Sequence, residues 1–120
     1  MKKVLMLMAV FFTATFIFAV TPPTKITING AKNKKPAVLF PHKVHSDKYK
    51  CQQCHHTWDG KGTPAKCTTC HTLKGKDKAP KAYIAFHRGV ASRSCVACHK
   101  SMKKAGKKTG PTKCSACHKK

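Results

Sequence analysis

Acidic side chains are almost missing from this chain. Asp47, Asp59 and Asp77 stand against 25 lysines and arginines, and the formal net charge is +22. Such a surface speeds encounter with negative partners, an advantage that fades with salt. Aromatic residues are few as well. Beyond residue 20 they reduce to Phe40, Tyr49, Trp58, Tyr83 and Phe86. That same region has no long, strongly apolar stretch; lysine, glycine, proline and threonine dominate it. A chain of this size cannot build a large side-chain core, and this composition on its own leans toward disorder. Methionine is scarce too: Met1, Met6 and Met8 sit near the start and only Met102 lies further on.

The first residues read as a leader. Lys2 and Lys3 precede an apolar run from Val4 to Phe18, interrupted by two threonines, and Ala19 offers a small-residue cleavage position. The pattern predicts a signal peptide over residues 1–19 and a single mature domain over residues 20–120. An uncleaved anchor is the rival reading, but the run falls short of the ~20 residues that span a bilayer. Export to the periplasm is therefore expected, with no stable membrane insertion once the leader is removed.

What the chain does have is one pentapeptide pattern four times over. Cys51-Gln-Gln-Cys54-His55, Cys67-Thr-Thr-Cys70-His71, Cys95-Val-Ala-Cys98-His99 and Cys114-Ser-Ala-Cys117-His118 all read C-x-x-C-H. This is the attachment signature of a c-type haem. Two residues between the cysteines let one helical turn present both thiols to the two vinyl groups of a porphyrin. The following histidine then points toward the iron. The motifs use all eight cysteines, so no thiol is left for a disulfide framework. Zinc sites also combine cysteine pairs with histidine, but they do not require a histidine after every second cysteine. The motifs begin at residues 51, 67, 95 and 114, intervals too uneven for a solenoid.

Four histidines remain outside the motifs: His42, His45, His56 and His87. Four haems would need four ligands on their far sides. Met102 could serve one at most, so the count favours bis-histidine ligation by His42, His45, His55, His56, His71, His87, His99 and His118. An iron capped on both sides has no position for a substrate, which predicts electron transfer and not catalysis. Histidine in place of methionine, with solvent exposure, also lowers the potential. The leading expectation is a low-potential electron shuttle. A terminal reductase of extracellular metal ions is the alternative, and a multihaem enzyme with one open iron is a third reading.

The predicted fold class is small and mostly irregular or helical, with a short β-ribbon, wrapped around four haems whose faces serve as the apolar interior. Residues 25–29 and 37–40 read as strands, with Asn29-Gly30 as a turn signal between them. His42 and His45 fall one helical turn apart. Asp59 to Gly62 is a turn, and the lysine-rich stretch from Lys74 to Lys81 is a loop. Tyr83, Phe86, His87 and Val90 form a stripe that predicts a helix from Lys81 to Arg93, and Lys103 to Thr112 reads as a basic loop. Lys100, Lys103, Lys104, Lys107, Lys108, Lys113, Lys119 and Lys120 surround the fourth motif with no acidic residue among them. They predict a docking patch for an acidic redox partner at the fourth haem. Nucleic acid is the generic alternative for so basic a chain; export, scarce arginine and the haem motifs argue against it.

Together these motifs resemble the tetrahaem class III c-type cytochromes, the cytochrome c3 family. The resemblance rests on Val38-Leu-Phe40-Pro-His42-Lys-Val-His45, on Cys51-Gln-Gln-Cys54-His55-His56, on the segment with His87, and on Ser94-Cys-Val-Ala-Cys98-His99. It implies that His42 caps the haem of the first motif, His56 the second, His45 the third and His87 the fourth. It also implies that Phe40 packs between the first and third haems. Many relatives carry four residues between the cysteines of the second and fourth motifs, where this chain has two. The resemblance further implies a monomeric periplasmic carrier of sulfate- or metal-reducing bacteria. Periplasmic hydrogenase, formate dehydrogenase and membrane cytochrome complexes would be its partners.

Overall fold

The computed structural model describes residues 21–30 and 35–120. The expected leader, residues 1–19, lies outside the described residues.

Two short strands, β1 (Ile26–Ile28) and β2 (Val38–Phe40), pair antiparallel as expected. The register sets Ile26 opposite Phe40 and Ile28 opposite Val38. These four apolar residues are half-buried on one face, while Thr27 and Leu39 point outward. That is the two-residue alternation of a strand with one covered face. Pro41 ends the ribbon and starts helix α1 (His42–Ser46). The Lys43 N–H donates to the Thr24 carbonyl at 3.0 Å, which ties α1 back to the ribbon.

The attachment motifs form the next elements: α2 (Cys51–Cys54), α3 (Cys67–Cys70), α4 (Cys95–Lys104) and α5 (Cys114–Cys117). Three are single turns. The third continues for two more turns and takes in Lys103 and Lys104, which the sequence assigns to a loop. Between α3 and α4 the chain makes a π-helical turn, Ile84–Arg88, instead of the longer helix expected to Arg93. Gly89 stops it in an extended conformation, and residues 91–93 form a separate turn. A side chain at Gly89 would press on the Ala85 carbonyl, 3.2 Å away, and on Ser94 Cβ at 3.3 Å. The two segments thus meet over a glycine.

Among the described residues no apolar side chain is buried; Ser94, 1% exposed, is the single buried residue. Leu39, Val44, Leu73, Tyr83 and Val90 are each more than half exposed. The described residues by themselves therefore supply no hydrophobic core, in line with the composition beyond residue 20. Among the described residues no helix is long and apolar enough to cross a membrane.

Candidate metal centres

Each motif positions its groups by the same local device. The first cysteine opens a helical turn, and the turn carries the second cysteine round to the same side. In α2, α3 and α5 the histidine is the residue that leaves the helix. His55, His71 and His118 have ψ values of 61°, 70° and 77°, outside the helical range. Their N–H groups still bond the first cysteine's carbonyl, at 2.9, 2.9 and 2.8 Å. Backbone geometry thus swings the imidazole away while the two thiols stay on the turn. His99 differs, because α4 continues past it.

The histidines meet in four pairs. Ring centroids are 6.1 Å apart for His42 and His55, and 5.9 Å for His56 and His71. They are 6.3 Å apart for His45 and His99, and 6.1 Å for His87 and His118. Each pair joins one motif histidine to one of the four left over. One metal ion between the rings, with a metal–imidazole bond of about 2.0–2.1 Å on each side, plus the two ring radii, accounts for these separations. Among the described residues no group of three or more His, Cys, Asp and Glu converges as a metal site. A pair of imidazoles suits a metal whose remaining ligands come from a macrocycle.

Nδ1 hydrogen bonds support the same orientation. His42 Nδ1 lies 3.0 Å from the Pro23 carbonyl, His45 Nδ1 2.9 Å from Pro41, and His71 Nδ1 2.9 Å from Pro80. His87 Nδ1 lies 3.1 Å from the Tyr83 carbonyl, while His99 and His118 are 2.7 Å from those of Pro111 and Pro36. A carbonyl only accepts, so Nδ1 carries the hydrogen and Nε2 offers its lone pair. Such a bond fixes the tautomer and strengthens a ligating imidazole. Five of these six acceptors belong to proline. Its locked φ leaves only ψ to set the carbonyl's direction. A backbone acceptor has no sequence signature, and these prolines were not legible as functional.

Burial lowers the basicity of His55, helped by the nearby His42. Burial, then Arg93 and His71, does the same for His56. Both effects favour the neutral imidazole that a metal requires. Burial also pushes the Cys95 thiol up to about 11, with Cys54, Cys67 and Cys117 adding to the effect.

Other side chains lie close to these pairs. His55 and His56 diverge, one facing His42 and the other His71. Phe40 lies 4.3 Å from the His45 ring and 6.0 Å from His42, hence between the first and third pairs. The Tyr83–Val90 stripe is split by the π-helical turn. Phe86 packs edge-on to His71 at 6.2 Å, while His87 stacks on Tyr83 at 4.9 Å and faces His118. The Met102 sulfur accepts from the Tyr49 hydroxyl at 3.4 Å. The eight lysines around the fourth motif are all exposed.

Comparisons with known proteins show the family. The model of the class III cytochrome c family matches residues 18–118. Cytochrome c3 of Maridesulfovibrio salexigens is 50% identical over 94 residues, covering 74% of this chain and 84% of that protein. Cytochrome c3 of Desulfovibrio desulfuricans is 46% identical, with the same 74% and 84% coverage. The crystal structure of the di-tetraheme cytochrome c3 from Desulfovibrio gigas superposes with a TM-score of 0.67 at 33% identity, covering 82% of this chain and 98% of that one. Four C-x-x-C-H turns and four facing imidazole pairs fit four covalently bound c-type haems, and the chain belongs to the class III cytochrome c family of multihaem electron carriers.

Proposed function

We propose that this protein is a periplasmic, low-potential electron shuttle in which every haem iron is held between two histidines. The observation that carries the reading is the set of four imidazole pairs at 5.9–6.3 Å. His42 and His55 hold the first iron, His56 and His71 the second, His45 and His99 the third, and His87 and His118 the fourth. Cys51, Cys54, Cys67, Cys70, Cys95, Cys98, Cys114 and Cys117 supply the thioethers. One-electron redox chemistry is what a haem bound at each of these sites would supply.

The chain's own residues do the rest. Paired imidazoles keep substrates from the metal and hold its surroundings alike in both valence states. Nδ1 hydrogen bonds and the choice of histidine over methionine move the potentials down. Phe40 and the adjacent His55 and His56 join neighbouring sites, so short stretches of chain keep the centres close. The lysines around the fourth motif steer an acidic partner to that site. The partners proposed are periplasmic hydrogenase or formate dehydrogenase and membrane cytochrome complexes of anaerobic, sulfate- or metal-reducing respiration. The signal peptide and a monomeric state complete the proposal.

Paramagnetic resonance of the oxidised protein, with carbon monoxide added to the reduced form, tests the core of this reading. Four low-spin haems and no carbon monoxide adduct are expected. A high-spin haem or a carbon monoxide band in the native protein overturns it. Faster turnover with ferric chelates than with hydrogenase would move the assignment to a metal reductase.

A further inference from the structure

Helix α4 carries His99 in its middle and Met102 one turn later, so both lie on a similar face. Two residues past the end of the helix, Gly106 has φ +68°, the left-handed conformation that glycine adopts freely. There the Gly106 N–H donates to the Lys103 carbonyl and the Lys107 N–H to the Met102 carbonyl, both at 3.0 Å. This is the paired bonding of a Schellman stop. It reverses the chain, and the next residues run back along the helix. The Thr109 hydroxyl reaches the Met102 sulfur at 3.8 Å, and the Pro111 carbonyl accepts from His99 Nδ1 at 2.7 Å. Between these two anchors lies Gly110. A Cβ there would stand 2.5 Å from His99 Cε1, 2.8 Å from Nε2 and 3.1 Å from Nδ1. The backbone is thus laid against the imidazole at a distance only a glycine permits.

We infer that residues 106–111 form a strap that sets the orientation of the His99 imidazole, with Gly110 as the positioning residue. The strap restrains the ring from two directions. Pro111 holds its Nδ1 edge, and Gly110 limits how it can tilt or rotate. Met102 is the strap's anchor on α4, and the Tyr49 hydroxyl donates to the same sulfur. A side chain at residue 110 has to lift the strap from the ring or turn the ring itself. His99 has little freedom to yield, since both nitrogens are engaged once iron is bound. Lifting the strap lengthens the Pro111 hydrogen bond, which makes the imidazole a poorer donor and the ferric state less favoured.

The inference rests on His99 being an axial ligand of the third haem. Its test is Gly110→Ala in the matured protein, with haem content, paramagnetic resonance and the stepwise potentials measured against wild type. Four attached haems are expected, with the signal of one altered and one reduction step moved to a more positive potential. Four unaltered signals and four unaltered steps overturn the strap. If the variant fails to mature, the reduced, diamagnetic wild-type protein decides by nuclear magnetic resonance. A Gly110 Hα should show a cross-relaxation peak to the His99 ring protons, and its absence overturns the contact. A high-spin third haem in the native protein would instead refute the ligand assignment, and the strap's role with it.

Discussion

A lone histidine on a small basic protein is ordinarily a solvated side chain. Here eight of them are divided into four pairs, and each has a distinct place in the arithmetic. His87 shows how the residue level works. It sits in the π-helical turn Ile84–Arg88, stacks on Tyr83, gives its Nδ1 hydrogen to the Tyr83 carbonyl and faces His118. Such turns widen a helix locally and recur at functional positions. His87→Ala is expected to leave four haems attached, by mass spectrometry, and to turn one high-spin in paramagnetic resonance; a wholly low-spin variant would contradict the pairing.

At the scale of elements, the loops are as constrained as the helices. The segment after α3 shows this. Gly75 has φ +82°, and a side chain there would collide with the Ala79 carbonyl. The tight loop brings the Pro80 carbonyl to His71 Nδ1 at 2.9 Å. Gly75→Ala combines a left-handed conformation, worth about 1–3 kcal/mol, with that collision. It should lower the denaturant midpoint and change the spectrum of the second haem first. Equal disturbance of all four haems would argue against a local role. The ribbon is used in a similar way. Pro36, just before β2, meets His118, and Phe40 at its end meets His45. A three-residue strand pair is too small to be stable alone, so its partners at the metal sites account for its order.

For the whole molecule, the absence of any buried apolar side chain among the described residues decides the energetics. Apolar burial is the main favourable contribution to folding, and this polypeptide provides little of it. Bound haem faces would supply that surface, which would link cofactor attachment to folding. Blocking haem attachment is expected to give a chain with the circular dichroism of an unfolded polypeptide; a cooperative thermal transition in that apoprotein would contradict the claim. The formal charge of +22 is the other molecular property. Replacing Lys100, Lys103, Lys104, Lys107, Lys108, Lys113, Lys119 and Lys120 by neutral residues should slow reduction by an acidic partner and flatten its salt dependence. An unchanged rate would remove the docking patch.

The number of haems and their covalent anchors were legible in residue type and spacing alone, because a helical turn between two cysteines is a local structure that needs no distant contact. The β-ribbon was readable for the same reason, through its two-residue alternation. Helix ends were less so. Gly89 interrupts a stripe that otherwise looks continuous, and α4 runs through lysines that composition marks as loop. Which histidine faces which was suggested by resemblance to a family, but spacing could not derive it. His42 and His45 share one helical turn yet face different rings, His55 and His99, which come from separate parts of the chain. Tertiary structure also decided the proline carbonyls behind the imidazoles and the approach of Gly110 to His99. These are backbone contacts between remote segments, and no side-chain pattern encodes them.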